Sequence, residues 1–316
     1  MATLSRREFA KLCGSAAITA GAMTAFPAFA KASAADGPLA DELTGLTLTE
    51  ASAKIRARTL TSTQLTKAVL GRIGVLDPKV NSYITVMADE ALAQAAQFDK
   101  EAAAGKFRGP LHGIPIALKD NIDTAGIRTT GASEVFVTRV PLEDADVVRR
   151  LKEAGAVIVG KLNLHEFAMG CTGDVSYWGP TRNPWSLEHV TGGSSAGSGA
   201  AVAADLCFAA LGTDTGGSIR VPSAWCGIVG IKPTTGLVSI RGIIPCEASL
   251  DHCGPMARSV EDVALMLNSM AGPSPSKAAA SRSMAAAPCS PPRNAICIPK
   301  SRCAIPALGG PKSKQR

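Results

Sequence analysis

The fold is decided by two short apolar runs: Ile114-Pro115-Ile116-Ala117-Leu118, which is followed directly by Lys119, and Ala156-Val157-Ile158-Val159-Gly160. Each run is bounded by turn-forming residues, which is typical of a strand that is buried on both faces. Residues 146–154, between the runs, have helical periodicity. A strand, a helix and a second strand in this order predict a parallel sheet with helices covering both faces, so we expect an α/β fold.

Helices and strands continue to alternate outward from this unit. Before it, the sequence predicts a helix that begins at Thr47, where Glu50 stands three residues later as in a capping box. A second helix is expected to begin at Ser62 or Thr61 and to close at Asp77-Pro78. The remaining elements are expected as a strand at 83–86, a helix at 88–104, a helix at 200–206, a strand at 208–212 and a helix at 261–270.

The positive charge of the chain is concentrated at its two ends. The 316 residues carry a formal net charge of +7, but residues 273–316 contain eight Lys/Arg and no Asp/Glu, and residues 1–35 contain four Lys/Arg against one Glu. The body between them is therefore mildly acidic. This distribution does not indicate a basic groove for nucleic acid, and we expect no nucleic-acid partner.

Residues 1–35 have the form of a twin-arginine export signal. Arg6-Arg7 precedes a weakly apolar run, and the small-residue ends Ala28-Phe29-Ala30 and Ala32-Ser33-Ala34 both suit signal-peptidase cleavage. The alternative is a basic amphipathic first helix. Because Ser, Thr and Pro27 interrupt the apolar run, we expect no stable membrane insertion. The sequence predicts an exported protein, periplasmic or extracellular.

Cysteine and histidine usage indicates neither a disulfide framework nor a metal site. The nine cysteines are scattered without C-x-x-C spacing. The four histidines form no ligand cluster with them in the sequence. These are His112, His165, His189 and His252. We therefore expect no metal and no cofactor.

Three segments carry residues suited to chemistry. They are Ala117-Leu118-Lys119-Asp120-Asn121-Ile122, Thr191-Gly192-Gly193-Ser194-Ser195-Ala196-Gly197-Ser198-Gly199 and Gly212-Thr213-Asp214-Thr215-Gly216-Gly217-Ser218-Ile219-Arg220. Glycine-rich loops bring backbone N–H groups close to a ligand and leave a nucleophile free of neighbouring side chains. Neither loop ends in the Gly-Lys-Ser/Thr of a phosphate-binding loop, and no histidine or acid stands out as partner for a G-x-S-x-G serine. A serine nucleophile served by a lysine fits better.

From about residue 47 to residue 272 the chain resembles the amidase-signature family. Besides the two glycine-rich loops, the resemblance rests on Gly179-Pro180-Thr181-Arg182-Asn183-Pro184-Trp185 and Gly254-Pro255-Met256-Ala257-Arg258. It implies the amidase-signature fold, a mixed and mostly parallel sheet covered by helices. It also implies hydrolysis of the C–N bond of a small-molecule carboxamide, giving a carboxylate and ammonia or an amine. The oligomeric state stays open, with a homodimer as one alternative.

The same resemblance implies a role for individual residues. Ser218 is expected to be the nucleophile that forms the acyl-enzyme, and Ser194 the bridging serine, with a cis peptide bond before it. Lys119 is expected to be the general base, and burial must lower its pKa for the amine to accept a proton at neutral pH.

Backbone groups and a third loop complete the expected site. The oxyanion is expected to be held by backbone N–H groups of Thr215, Gly216, Gly217 and Ser218. Substrate-binding residues are expected at Met169, Gly170 and Cys171. Cys171 stands where relatives usually carry serine.

After about residue 272 the resemblance stops. Residues 273–316 hold eight of the twenty prolines and no acidic residue, without sustained periodicity, which predicts a disordered tail. We expect a signal peptide at 1–35, a partial catalytic domain at 36–272 that is incomplete at its C-terminus, and a tail at 273–316 produced by a shifted frame or an early stop. Two alternatives to an active exported amidase stay open: a catalytically silent fragment, and the glutamine-hydrolysing subunit of a tRNA amidotransferase.

Overall fold

The computed structural model describes residues 37–272. The expected export signal at 1–35 and the expected tail at 273–316 lie outside the described residues. The helices are α1 (Gly37–Thr44), α2 (Leu48–Arg56), α3 (Ser62–Val80), α4 (Ala88–Ala103), α5 (Asp146–Glu153), α6 (Ala196–Ala203), α7 (Arg220–Cys226) and α8 (Val260–Met270). The strands are β1 (Tyr83–Val86), β2 (Pro115–Lys119), β3 (Val157–Leu162), β4 (Arg182–Asn183), β5 (Ser186–Val190), β6 (Ala209–Asp214), β7 (Val229–Gly230) and β8 (His252–Ala257).

One mixed sheet organises the described part of the chain. Its strand order is β1-β3-β2-β6-β8-β7, while β4 and β5 form a separate antiparallel pair. The central strands β3, β2 and β6 are parallel, and β1, β8 and β7 pair antiparallel on either side of them. The α/β expectation is confirmed, and the parallel unit predicted from residues 114–160 lies at the middle of the sheet.

The core lies on the central strands and the helices packed against them. Every residue of β2, β3 and β6 is buried, as expected of parallel strands enclosed by other layers. Helices α3, α4, α6 and α8 pack against this sheet. Because so much apolar surface surrounds the central strands, any polar group at their ends is removed from water unless a loop opens the site. Within residues 37–272, no helix combines the length and apolar character needed to cross a membrane.

Capping residues set the starts of α2 and α3. Thr47 accepts a hydrogen bond from the backbone N–H of Glu50, and Thr61 accepts one from Gln64, each as part of a complete capping box. α3 continues past Asp77-Pro78 to Val80, and its C-cap Asn81 adopts the left-handed conformation with φ 56°. The expected end of this helix was therefore too early by two residues.

Helix α6 begins at Ala196, four residues before the expected start at 200. Gly and Ser have low helix propensity, so the sequence of residues 196–199 predicts a loop. Tertiary packing overrides this preference, because a Cβ on Gly199 would lie only 3.1 Å from Pro222 Cβ and 3.2 Å from Cys226 Sγ of α7. Small residues let α6 and α7 approach closely, and the glycine-rich segment is helical from Ala196 onward.

The carboxylate of Asp262 joins helix α2 to helix α8, which gives a stability prediction. This carboxylate is fully buried and accepts hydrogen bonds from the backbone N–H groups of Leu48 (3.2 Å) and Thr49 (2.9 Å) at the start of α2. Asp262→Ala should destabilise the protein by about 2–3 kcal/mol, because charged hydrogen bonds at a helix start are lost. The neighbouring Glu261 is exposed, so Glu261→Ala should change stability by no more than about 0.5 kcal/mol. Urea denaturation measures both, and equal midpoints would contradict this role for Asp262.

Candidate active site

The site lies where the parallel strands β2 and β6 end side by side, the usual place for a site in a sheet of this kind. Leu118 pairs with Leu211, and β6 continues three residues farther than this pair, to Asp214. Thr213 is thereby placed beside Lys119, the last residue of β2. The Lys119 Nζ to Thr213 Oγ1 distance is 2.8 Å.

Lys119 is fully buried and is surrounded by hydroxyl groups. Its Nζ lies 2.7 Å from Ser194 Oγ in addition to its contact with Thr213. Among residues 37–272, no carboxylate lies within ion-pair distance of this amine. Burial lowers the pKa of Lys119 to about 7, although the negative charges of Asp214 and Asp251 partly oppose the shift. A large fraction of the amine is therefore neutral at neutral pH and can accept a proton.

Ser194 is held at the start of α6 by a tightly packed turn. The peptide bond between Gly193 and Ser194 is cis, as the family resemblance implies. Gly193 N–H donates to the Cys171 carbonyl at 2.7 Å. A Cβ at position 193 would lie 2.9 Å from the backbone nitrogen of Gly173, so only glycine fits there. The loop around residue 171 and the buried Ser194 are thus one packed unit.

Ser218 lies on a loop wrapped around the carboxylate of Asp214. That carboxylate accepts hydrogen bonds from Gly217 N (2.9 Å), Ile219 N (3.2 Å) and the Arg220 side chain (3.0 Å). The Ser218 carbonyl accepts from Ser195 N at 3.1 Å, which joins the two serine loops. The Ser218 side chain is half-buried, and within residues 37–272 its Oγ makes no hydrogen bond. The structure therefore brings Lys119 and Ser194 into contact and Ser218 into the adjoining loop.

Of the four expected oxyanion donors, three have backbone N–H groups that are open and one is already occupied. The backbone N–H groups of Thr215, Gly216 and Ser218 donate no hydrogen bond within the described part of the chain. Gly216 is exposed, and a Cβ there would meet no atom within 4 Å, so open space adjoins it. Gly217 departs from the expectation, because its N–H is occupied by Asp214. The open donors are thus Thr215, Gly216 and Ser218.

The expected substrate-binding loop is largely exposed and packs against Gly193. Met169 is 68% exposed, Cys171 is exposed and Gly170 is half-buried. The Cys171 carbonyl fixes Gly193, so this loop packs against the peptide bond that precedes Ser194. Among residues 37–272, no cluster of three His, Cys, Asp or Glu side chains is placed to hold a metal ion.

A second buried lysine lies on the neighbouring strand and was missed by sequence reasoning. Lys161 Nζ donates to the Ile122 carbonyl (2.8 Å) and to Thr129 Oγ1 (2.6 Å), and it lies 3.2 Å from Asp120 Oδ1. Burial lowers the pKa of Lys161, while the Asp120 carboxylate raises it. Lys161 thus differs from the neighbouring Lys119 in having a carboxylate partner. Its only sequence signal is a charge inside an apolar strand.

A family model for amidases matches residues 64–297 of this sequence. The chain belongs to the amidase family. The matched range continues past residue 272 into the part of the chain that lies outside the described residues. The amidase motifs described above, from the three serine and lysine segments to Gly254-Pro255-Met256-Ala257-Arg258, all fall within it.

Individual amidase relatives are similar over about half of their own length. A glutamyl-tRNA(Gln) amidotransferase subunit of Geobacter metallireducens is 55% identical over 234 residues, which are 74% of this chain and 48% of the relative. The equivalent protein of Carboxydothermus hydrogenoformans is 51% identical over 234 residues, with the same coverage. The chain thus spans about half the length of the curated relatives it matches.

Solved amidase structures show the same fold. Peptide amidase from Stenotrophomonas maltophilia is 44% identical, with a TM-score of 0.71 over 80% of this chain and 52% of that chain. A fatty acid amide hydrolase is 33% identical, with a TM-score of 0.70 over 73% of this chain and 41% of that chain. The sheet described above is therefore an amidase sheet.

The buried pair Lys161–Asp120 generates a stability prediction. Lys161→Met should destabilise the protein by about 3–5 kcal/mol, because Asp120 would remain as an unpaired buried charge. The double variant Asp120→Asn with Lys161→Met should regain part of that loss. The control is Lys152→Met at the partly exposed Lys152–Asp144 pair, for which a loss of at most about 1 kcal/mol is expected. Denaturant midpoints provide the comparison, and a Lys161→Met variant as stable as the control would refute the pairing.

Proposed function

We propose that this chain hydrolyses the C–N bond of a carboxamide through an acyl-enzyme on Ser218, with Ser194 as the bridging serine and Lys119 as the general base. The single observation that carries the proposal is the 2.7 Å contact between Ser194 Oγ and a fully buried lysine that has no carboxylate partner among the described residues. A lysine in that setting accepts a proton readily at neutral pH, and a hydroxyl in contact with it can give one up.

The proton path follows from this geometry. Neutral Lys119 donates a hydrogen bond to Thr213 and accepts the proton of Ser194 Oγ. Ser194 then takes the proton of Ser218, whose Oγ attacks the carbonyl carbon of the amide. The path runs in reverse to protonate the leaving nitrogen as the C–N bond breaks, and water later hydrolyses the ester on Ser218. The approach of Ser218 Oγ to Ser194 Oγ belongs to the substrate complex, since catalytic hydrogen bonds commonly tighten there.

Negative charge on the carbonyl oxygen needs backbone donors in the same place. The open N–H groups of Thr215, Gly216 and Ser218 support this role. Gly217 is left out because Asp214 occupies its N–H. Preorganised donors of this kind typically contribute several kcal/mol to the transition state.

Glutamine is a second candidate substrate, and the names of the relatives favour it. Relatives more than 50% identical are subunits of a glutamyl-tRNA(Gln) amidotransferase. We propose instead a substrate met outside the cytoplasm, because Arg6-Arg7 and the apolar run after it have the form of an export signal. Fusion of residues 1–40 to a reporter separates the two proposals. Export of the reporter favours an amide other than one linked to tRNA. A reporter that stays in the cytoplasm favours glutamine, since the argument from export then fails.

A substrate panel tests the hydrolytic activity of the chain. The purified 316-residue protein should release ammonia or amine from at least one member of a panel of aliphatic amides, aryl amides, peptide amides and glutamine. Ser218→Ala should lower kcat by a factor of about 10³ or more, because loss of the nucleophile leaves only binding and oxyanion contacts. Absence of turnover together with absence of fluorophosphonate labelling at Ser218 would instead identify a catalytically silent fragment.

The pH dependence of kcat/KM tests the base. The active form carries neutral Lys119, so activity should rise with pH through a pKa of about 7. A histidine base would titrate nearby, at about 6.5, so variants decide between them. Lys119→Ala should remove the limb along with most of kcat, and Lys119→Arg should not restore it, because guanidinium keeps its proton. Variants of His112, His165, His189 and His252 should keep the limb. A histidine variant that abolished it would refute Lys119 as the base.

A further inference from the structure

Thr215, the first residue of the loop that carries Ser218, is held at both of its polar ends by opposite charges. Its carbonyl oxygen accepts a hydrogen bond from Lys232 Nζ at 2.8 Å. Its hydroxyl donates to Asp251 Oδ1 at 2.5 Å. The three residues come from separate parts of the chain, and we call them the Thr215 clamp. No step of the proposed hydrolysis uses Lys232 or Asp251, so their role is unassigned.

The lysine of the clamp acts on one particular peptide group. In a trans peptide the C=O and N–H bonds point in opposite directions. By holding the Thr215 carbonyl, the Lys232 ammonium fixes the direction of the Gly216 N–H, which points away from Lys232. It also polarises that peptide, because hydrogen bonds in a chain strengthen one another at low local dielectric. Gly216 N–H is one of the open donors and faces open space.

The carboxylate of the clamp is itself rigidly held. Asp251 also accepts hydrogen bonds from the backbone N–H groups of Cys246 (2.9 Å) and Glu247 (3.1 Å). Lys232 is braced similarly by a 3.2 Å contact with Asp214 Oδ1. Neither end of Thr215 can shift without breaking a charged contact that is tied to another loop.

We propose that Lys232 and Asp251 are positioning residues that orient and polarise the Thr215–Gly216 peptide as the main oxyanion donor of the amidase site. This inference rests on the proposed hydrolysis. It predicts that the clamp stabilises the transition state and contributes little to the binding of the ground-state amide.

Thr215 offers a matched pair of small substitutions. Thr215→Val removes only the hydroxyl contact with Asp251, and Thr215→Ser retains it. We expect Thr215→Val to lower kcat about 10–100-fold with KM changed less than about threefold, somewhat less than the loss of a whole oxyanion donor. Affinity for a reversible aldehyde inhibitor, which forms a tetrahedral adduct with a serine, should fall in parallel. Thr215→Ser, the conservative variant that keeps the hydroxyl, should rescue most of the loss in both measurements.

Lys232→Met tests the other end of the clamp. It should lower kcat and aldehyde affinity as Thr215→Val does, with KM again nearly unchanged. The control is Lys67→Met at an exposed lysine of α3, which should behave as wild type. If Lys232→Met folds poorly, as judged by its Tm, the Thr215 pair decides the question alone, since it alters one small side chain.

Asp251 adds a readout that a purely structural role would not affect. Its charge is one of the influences that raise the pKa of Lys119, along with Asp214, Cys246 and Cys253, which face the same amine. Asp251→Asn keeps an acceptor for the Thr215 hydroxyl but removes the charge. The pH–rate limb should therefore move to lower pH, with kcat above the limb reduced less than in Thr215→Val.

The outcomes separate this inference from the function on which it rests. If Thr215→Val and Lys232→Met keep wild-type kcat and aldehyde affinity while Ser218→Ala is inactive, the clamp has no positioning role and hydrolysis stands. Equal losses in Thr215→Val and Thr215→Ser, or losses in KM alone, would also overturn it. If the wild-type chain neither turns over an amide nor labels at Ser218, the proposed function fails and the inference fails with it.

Discussion

The site depends on an amine that is buried without a counter-ion. Lys119 ends a strand that is enclosed on both faces, and hydroxyl groups are its polar partners in the described structure. Hydroxyls satisfy a neutral amine well and an ammonium ion poorly, so the surroundings select the neutral form. Lys161 on the adjoining strand differs, because the Asp120 carboxylate lies 3.2 Å from its amine and opposes the lowering of its pKa by burial. Two lysines of equal burial thus differ in whether a carboxylate partners the amine.

The loops around Lys119 are organised by charged groups that do not react. Asp214 accepts the backbone N–H groups of the loop after it and pairs with Arg220. These contacts hold the pKa of Asp214 well below its usual range, with burial opposing them. The carboxylate therefore stays ionised and acts as the centre around which the Ser218 loop closes. As a consequence, the Gly217 N–H donates to Asp214 and is not open to a substrate.

Much of the fold and of the site was open to prediction from local sequence. The strand at Tyr83–Val86 and the parallel unit around residues 114–160 follow from hydrophobic runs and caps. Strand β8 could not be predicted from its own sequence, because Gly254 and Pro255 are residues that usually interrupt a strand. β8 forms because its partner β6 satisfies it on one side, with Gly212 pairing to Gly254. Such a strand depends on its pairing in the sheet and not on the propensity of its own residues.

In the site, too, some features follow from local sequence and others depend on tertiary contacts. Lys119, Ser194 and Ser218 each lie in a local motif, and the family resemblance implied that they come together. The contacts that tune them join residues far apart in the chain, such as Lys161 with Thr129 and Lys232 with Thr215. A lysine in an apolar strand or after a turn gives no local indication of its partner. Whether a buried lysine has hydroxyl or carboxylate partners is therefore decided by tertiary contacts.

Burial among hydroxyls keeps a large fraction of Lys119 neutral at neutral pH. NMR titration of the protein with ¹⁵Nζ- and ¹³Cε-labelled lysine tests it most directly, with the Lys119 resonance assigned by its loss in Lys119→Arg. We predict a resonance that titrates at about pH 7. A Lys119 resonance that stays protonated above about pH 9, close to the ordinary lysine value of about 10.4, would contradict it.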